Sequence, residues 1–215
     1  MQSASVKLLE LHDAQPIYSG NSAGKFEMFN PFNKEKRRNA EIVRKVYGVI
    51  VAQGRQPAFY QHVGVTDDVN GRFDLLLLHM WLFARRLGRA GDDAVERSQQ
   101  VFDLFVTDMD RSVREMGTSD RKVPKKVKQL ISAYYGRMSS YDAAYEDPDP
   151  AMFESAIGRN IFPDQDTVSA PAKRLASYAR SCEAHLQATP LHLILDGEFE
   201  FPMLDTPGQG AETDE

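Results

Sequence analysis

The stretch Gly71-Arg-Phe-Asp-Leu-Leu-Leu-Leu-His-Met-Trp-Leu-Phe-Ala-Arg-Arg-Leu87 decides the fold of this chain. Between Leu75 and Phe83 only His79 is polar, so a helix formed here has no face suited to water and must be buried on all sides. The uncharged run falls well short of the ~20 apolar residues that span a bilayer, and charged residues flank it closely. We therefore predict an all-α domain built around a buried central helix, in which the ring nitrogens of His79 and Trp81 hydrogen-bond to local partners.

The composition is that of a globular protein with a single domain. At 215 residues, the chain is long enough to bury a core of ordinary size. Because the net charge is −5, any contact with nucleic acid or a membrane needs a local basic patch. Cys182 is the only cysteine, which excludes an internal disulfide and a cysteine-based zinc site. The N-terminus shows no secretory or transit signal, so we expect a cytoplasmic protein, able to sit peripherally at the inner face of the cytoplasmic membrane.

Amphipathic helices are predicted on both sides of the central one, because apolar residues recur there at helical spacing. Residues 1–27 show no such period and are interpreted as a flexible extension, with Met28 as a candidate true start. Residues 28–205 are assigned to the helical domain, and the acidic end, 206–215, is predicted to be disordered. The predicted helices cover 36–53, 58–63, 94–116, a helix with Pro124 in its first turn and apolar residues from Val123 to Tyr145, 151–160 and 171–187.

The ends of these helices carry further expectations. Asp92 and Asp93 are expected to cap the helix 94–116, and Ser119 with Asp120 the helix after it, because short polar side chains accept bonds from free backbone N–H groups. Met116 completes the apolar stripe of the helix 94–116 and is expected to pack inward. The predicted extended segment that lies on the helices consists of Leu191–Leu195, Phe199, Phe201 and Met203.

Asp103, Asp108 and Asp110 are the nearest approach to an enzyme signature, since paired carboxylates on a helix can hold Mg²⁺ for diphosphate chemistry. Two carboxylates that share a metal should be three or four residues apart, whereas Asp108 and Asp110 lie about 200° apart around the helix axis. The spacing of Asp108 to Arg111, and of Asp110 to Arg114, fits ion pairs instead. We predict no metal, no cofactor and no small-molecule substrate, and keep a Mg²⁺-dependent helical enzyme acting on a diphosphate as an alternative function.

The segment Arg121-Lys-Val-Pro-Lys-Lys-Val-Lys128 is the most informative charged run. Its cations lie in the first turns of a predicted helix, where the macrodipole disfavours each positive charge by about 0.3–1 kcal/mol. Stability therefore does not explain the pattern, whereas binding to RNA phosphate, anionic lipid or an acidic protein does. Val123 and Val127 are expected to point away from the cations and into the core. An RNA-binding module that uses this helix is a further alternative function.

Several motifs, taken in order along the chain, carry a family resemblance. They resemble the ubiquinol–cytochrome c chaperone family, assembly factors for cytochrome b of the cytochrome bc complex (complex III), in its bacterial form. The resemblance runs from about residue 30 to 162, with a fainter similarity at Leu195-Asp-Gly-Glu-Phe-Glu-Phe-Pro202. The motifs are Ile50-Val-Ala-Gln-Gly-Arg-Gln-Pro-Ala-Phe-Tyr60, Gly64-Val-Thr-Asp-Asp-Val-Asn-Gly-Arg-Phe-Asp74, Phe102-Asp-Leu-Phe-Val-Thr-Asp-Met-Asp-Arg-Ser-Val-Arg-Glu-Met-Gly117, Val123-Pro-Lys-Lys-Val-Lys-Gln-Leu130, Tyr135-Gly-Arg137 and Tyr141-Asp142.

The resemblance implies a non-enzymatic helical chaperone that binds newly made cytochrome b and hands it on for complex III assembly. Mitochondrial members of the family work with a second assembly factor and associate with the ribosome. We expect the partner surface at polar positions of these motifs that neither capping nor the core explains, which are Arg55, Tyr60, Arg72, Asp108, Asp110, Arg111 and Arg114.

A basic face is expected beside this partner surface, where it would meet the ribosome or an anionic membrane. For Arg72 and Asp110, a buried structural ion pair is the alternative to a partner contact. The residues of the expected basic face are Lys122, Lys125, Lys126, Lys128 and Arg137.

Overall fold

The computed structural model describes residues 31–166 and 168–205, and these residues confirm the predicted all-α fold. The predictions of a flexible extension at 1–27, a start at Met28 and a disordered tail at 206–215 lie outside the described residues. The helices are α1 Pro31–Gly54, a π-helical turn Phe59–Val63, α2 Val69–Leu87, α3 Asp92–Glu115, α4 Val123–Glu146, α5 Pro150–Ile161, α6 Ala170–Ala188 and α7 Leu191–Leu195.

Helix α2 is the centre of the molecule, as its sequence predicts. From Leu75 to Phe83 every side chain is buried except that of Leu76, which is partly buried, and α1, α3, α4, α5 and α6 all pack against this helix. Its first turn depends on Gly71, because a side chain there would overlap the carbonyl oxygen of Thr66. No helix in 31–166 or 168–205 has both the length and the apolar content needed to cross a membrane.

The two polar rings of α2 are core residues with local partners, which confirms the prediction. The Nδ1–H of His79 donates to the carbonyl oxygen of Leu75 at 2.7 Å, and its Nε2 accepts from the Tyr178 hydroxyl at 2.9 Å. The indole N–H of Trp81 donates to Asp142 at 2.8 Å. Both rings therefore keep their hydrogen bonds inside an apolar core.

The predicted caps of α3 and α4 are wrong. The residue that caps α3 is Gly91, with a φ of 108°, so Asp92 and Asp93 lie inside the first turn, where their charge favours the helix macrodipole. Helix α4 starts after a turn closed by its own backbone, in which the N–H of Lys122 donates to the carbonyl oxygen of Ser119 at 2.7 Å. The Asp120 carboxylate instead accepts from Arg114 at 2.8 Å.

The run Leu191–Leu195 is a short helix and not the extended segment predicted, because an apolar run of five residues carries too little periodicity to separate the two. Residues without regular secondary structure follow Gly197, which has a φ of 70°. We call residues 198–205 the C-terminal segment. Phe199 and Phe201 are buried against the helices, as predicted, whereas Met203 is 84% exposed.

Candidate partner-binding surface

An apolar groove of about 420 Å³ opens between α1, α2, α3 and α4; we call it the α2–α3 groove. Val69 and Met116 lie in its lining and are 65% and 59% exposed, which is unusual for large apolar side chains. The apolar lining also includes Val51, Phe73, Leu76, Met109, Val113 and Leu130, and the polar lining consists of Arg55, Asn70, Arg72, Asp108, Ser112 and Glu115.

Three of the predicted partner residues meet at this groove: Arg55 at the end of α1, Arg72 on α2 and Asp108 on α3. Their charges are held differently. The Arg72 guanidinium donates to Asp67 at 2.8 Å, across an exposed pair. The side chain of Arg55 is exposed and has no ion-pair partner among the described residues. Arg55 is thus the rim charge that is free to meet a partner.

Asp108 is the most constrained of these charges. It accepts from the Tyr47 hydroxyl at 3.0 Å and from Arg111 at 2.5 Å. Burial and the adjacent carboxylate raise the pKa of Tyr47, so this hydroxyl stays a donor at any ordinary pH. On the same helix Arg111 also approaches Glu115 at 3.9 Å. The Asp108–Arg111 pair predicted from the spacing is present, and it fixes one wall of the groove.

A second depression, of about 560 Å³, shares Arg55 and Arg72 with the α2–α3 groove and contains Tyr60. The Tyr60 hydroxyl donates to the carbonyl oxygen of Gly54 at 2.8 Å, and burial raises the pKa of Tyr60. Its ring therefore supports the end of α1 and places Arg55 at the rim of both depressions. Arg55, Tyr60 and Arg72 form one continuous surface.

Arg72 and Asp110 do form ion pairs, but both pairs are exposed, so the alternative of buried structural pairs is wrong for them. Asp110 accepts from Arg114 at 2.7 Å, which holds the pKa of that carboxyl below its usual range. One buried pair instead includes Arg137, which donates to Asp74 at 2.5 Å and joins α4 to α2. Burial raises the pKa of Asp74 to about 6, against the opposing effect of Arg137. Arg137 is therefore an internal partner and lies outside the basic face expected from the sequence.

The remaining lysines form an exposed basic face at the start of α4. Lys122, Lys125 and Lys126 line one shallow depression with Gln129 and the turn 117–119. Lys128 is exposed on the flank of the same helix, and Val123 and Val127 are buried beneath, as their spacing predicts. Met116 immediately precedes this turn, so the basic face adjoins the α2–α3 groove.

The three aspartates proposed for Mg²⁺ have separate partners. The Asp103 carboxylate accepts from Gln99 at 2.9 Å, whereas Asp108 and Asp110 are bound to Arg111 and Arg114. Within 31–166 and 168–205, no three His, Cys, Asp or Glu side chains are placed to hold a metal ion. The Cys182 thiol is buried, and burial raises its pKa to about 12, so it stays protonated and weakly nucleophilic.

The α2–α3 groove itself is absent from the predictions based on sequence. The apolar stripe of α3 predicts Met116 in the core, but the helix ends at Glu115 and leaves the Met116 side chain at the surface. Val69 follows two aspartates and precedes Asn70, so its neighbours in the sequence are typical of a polar loop and not of an apolar groove. An apolar residue at a helix end, next to a polar loop, is the signal that could have identified both.

Comparison with known proteins is consistent with the helical architecture. A family model described as ubiquinol-cytochrome C chaperone matches residues 61–201. The crystal structure of the Cbp3 homolog from Brucella abortus has a TM-score of 0.73 and 33% sequence identity, over 80% of this chain and 95% of that chain. No match was found among curated proteins. Since the family model covers more than half of the sequence, the chain belongs to the ubiquinol–cytochrome c chaperone family.

Proposed function

We propose that this protein is a non-enzymatic assembly chaperone of complex III that binds newly made cytochrome b through the α2–α3 groove. The observation that carries the proposal is the pair of exposed apolar residues, Val69 and Met116, in a groove built from the family-like motifs 64–74 and 102–117. Exposed apolar side chains surrounded by polar ones are typical of protein-interaction sites.

The dimensions of the groove suit a helical segment of a membrane protein. The α3 wall from Asp108 to Glu115 contains eight residues, or about 12 Å of helix, which matches roughly two turns of a bound helix. Such a helix inserts apolar anchors at positions i, i+3 or i+4, and i+7. Covering Val69 and Met116 would contribute about 1–2 kcal/mol each, in proportion to their present exposure.

The charges of the rim support a specific orientation of the client. Asp108 and Arg111 are held in place by their mutual bond, so little side-chain freedom is lost when a partner binds beside them. Arg55 has no ion-pair partner among the described residues, so its guanidinium suits a client carboxylate or the carbonyl groups at the end of a client helix. Asp110 and Arg114, bound to each other further along α3, extend this polar border.

The basic face of α4 is a second surface in this proposal. Its exposed lysines suit a polyanion and not an apolar client, in line with the expectation of a ribosome or an anionic membrane. A chaperone that holds a membrane protein at the inner face of the cytoplasmic membrane needs both surfaces at once: one for the client and one for the site where the client is made or inserted.

The test replaces Val69 with Asp in the full chain and measures the recovery of cytochrome b from detergent-solubilised membranes. Val69 is in the first turn of α2, where an acidic residue favours the macrodipole, so the fold should persist. We expect recovery to fall at least tenfold, because burying a carboxylate against the client offsets the gain from apolar contact.

The matched control is Val168→Asp, at another exposed valine that does not line the groove, which should recover cytochrome b like the unsubstituted chain. If the two variants recover equal amounts of cytochrome b, the α2–α3 groove is not the client-binding site. A native chain that captures no cytochrome b, in cells whose complex III assembles normally without the protein, would refute the function itself.

A further inference from the structure

The basic face of α4 is a charged patch that does not contribute to the stability of the fold. Lys122, Lys125, Lys126 and Lys128 are exposed, and α4 has no acidic residue in its first turn. The neighbouring acid, Asp120, is engaged by Arg114 at 2.8 Å. These cations therefore repel one another without compensation in the described part of the chain, which disfavours the folded state unless an external anion is bound.

The attraction of an anion to this patch is local. The whole chain has a net charge of −5, so it is repelled by a polyanion at long range. Interactions between exposed charges are screened beyond about 8 Å at physiological ionic strength, so distant acids do not cancel the patch. A broad anionic surface is the kind of partner that several adjacent lysines can meet together.

The chain offers an internal comparison at the start of α1. Lys34, Lys36 and Arg37 are also exposed and close together. Here, however, Glu35 is interleaved, and Glu96 of α3 lies in the same depression as Lys36. The α1 cluster is thus a mixed charged surface, whereas the start of α4 has cations alone.

The apolar neighbour of the patch favours a bilayer over RNA. Met116 is 59% exposed and is followed by Gly117, whose φ of 79° turns the chain into the depression lined by the lysines. Lysine side chains around an exposed apolar residue suit a lipid interface, where the ammonium groups reach the headgroups and the apolar residue enters the boundary region. Residues 116–130 contain no aromatic side chain and only one arginine, Arg121, so the stacking that RNA recognition uses is missing from this segment.

We propose that the start of α4 docks on an anionic phospholipid bilayer, with the lysines at the headgroups and Met116 at the interface. Because Met116 also lines the α2–α3 groove, this contact places the mouth of the groove next to the membrane surface. The inference adds a membrane contact to the proposed client binding, and it stands on residues that are distinct from the rim of the groove apart from Met116.

The experiment measures co-sedimentation of the full chain with vesicles of phosphatidylcholine, with and without phosphatidylglycerol. We expect binding only to the anionic vesicles, and weaker binding as salt increases. Each basic residue near such a surface contributes roughly fivefold in affinity, so the combined substitution Lys122→Gln, Lys125→Gln and Lys126→Gln should weaken binding on the order of a hundredfold. Met116→Ser should weaken binding several-fold with no change of charge.

The control variant, Lys34→Gln, Lys36→Gln and Arg37→Gln, removes the same net charge from α1 and should change vesicle binding little. Equal weakening of vesicle binding by the two triple variants would mean that binding depends on net charge alone, which would overturn the proposal. So would binding to an unstructured RNA homopolymer, at the same salt, that is tighter than binding to the anionic vesicles.

The α4 variant also separates this inference from the proposed function. In detergent, without a bilayer, it should still recover cytochrome b, because the rim of the groove is untouched. If the native chain binds anionic vesicles but never captures cytochrome b, the client proposal fails and the membrane contact stands. If the native chain binds no anionic vesicles, the membrane contact fails whatever the client result.

Discussion

At the scale of single residues, His79 shows how burial in an apolar core changes the pKa of a titratable group. Its ring is fully buried and lies among the rings of Phe59, Tyr178 and Phe201, at centroid distances of 5.5, 5.8 and 5.1 Å. Burial lowers the pKa of His79 to about 4, against a small opposing effect of the bond to Leu75. The imidazole is therefore neutral at physiological pH, and its two nitrogens act as one donor and one acceptor.

This depressed pKa predicts acid sensitivity of the fold. The unfolded chain binds a proton at His79 near pH 6.5, whereas the folded chain binds it only near pH 4. The stability that the neutral imidazole contributes is therefore fully present above pH 6.5 and is lost as the pH falls towards 4. A His79→Gln variant lacks this contribution. The difference in free energy of unfolding between the native chain and the variant should shrink by about 3 kcal/mol from pH 7 to pH 4.

Urea unfolding at a series of pH values measures this difference, and groups common to both chains cancel. A difference that stays constant from pH 7 to pH 4 would contradict a neutral, buried imidazole. Asp74, whose raised pKa acts in the opposite direction, has the same effect in both chains and does not mask the result.

At the scale of elements, Arg85 links three helices. It is 5% exposed on α2, and its guanidinium lies 3.4 Å from Asp142 and 2.6 Å from Glu146, both on α4. It also approaches Glu183 of α6 at 3.6 Å and stacks over the Tyr145 ring at 4.3 Å. The packing of α2, α4 and α6 therefore includes a buried cation with three carboxylate neighbours.

Removal of this cation is predicted to be costly. Arg85→Met removes a buried cation that lies beside the buried carboxylate of Asp142, which should lower the free energy of unfolding by about 3–5 kcal/mol. Arg89 binds the same Glu146 oxygen at 2.5 Å but is 50% exposed, so Arg89→Met should cost less than about 1 kcal/mol. Urea unfolding of both variants makes the comparison, and similar costs would show that burial of the Arg85 network does not matter.

The helices and the central burial of α2 could be predicted because both depend on local periodicity, which the sequence around Leu75 and Phe83 displays directly. The pairing of Arg137 with Asp74 could not, because 63 positions separate them and only the packing of α4 on α2 brings them together. The α2–α3 groove depends on four helices in the same way. Arg55, Arg72 and Asp108 of its polar rim are predicted from the motifs as partner contacts, whereas its apolar lining has the periodicity of ordinary core.

At the scale of the whole molecule, the C-terminal segment ties the end of the described chain to its beginning. Gln53 of α1 donates to the carbonyl oxygen of Pro202 at 3.1 Å, and Arg174 of α6 donates to that of Asp205. Phe199 stacks on Phe83 of the central helix at 6.1 Å. A segment with no secondary structure of its own thus completes the cover over α2.

The contribution of this segment to stability can be measured with two neighbouring substitutions. Phe201 is buried and meets the His79 ring edge-on at 5.1 Å, so Phe201→Ala leaves a cavity beside the centre of α2 and should cost about 3–5 kcal/mol. In a protein of this length, such a loss lowers the Tm by about 10 °C. Met203→Ala, two residues further on and 84% exposed, should change the stability by less than about 0.5 kcal/mol. Thermal unfolding followed by circular dichroism tests both predictions. A Phe201→Ala variant with the same Tm as the native chain would mean that the C-terminal segment is not needed to cover α2.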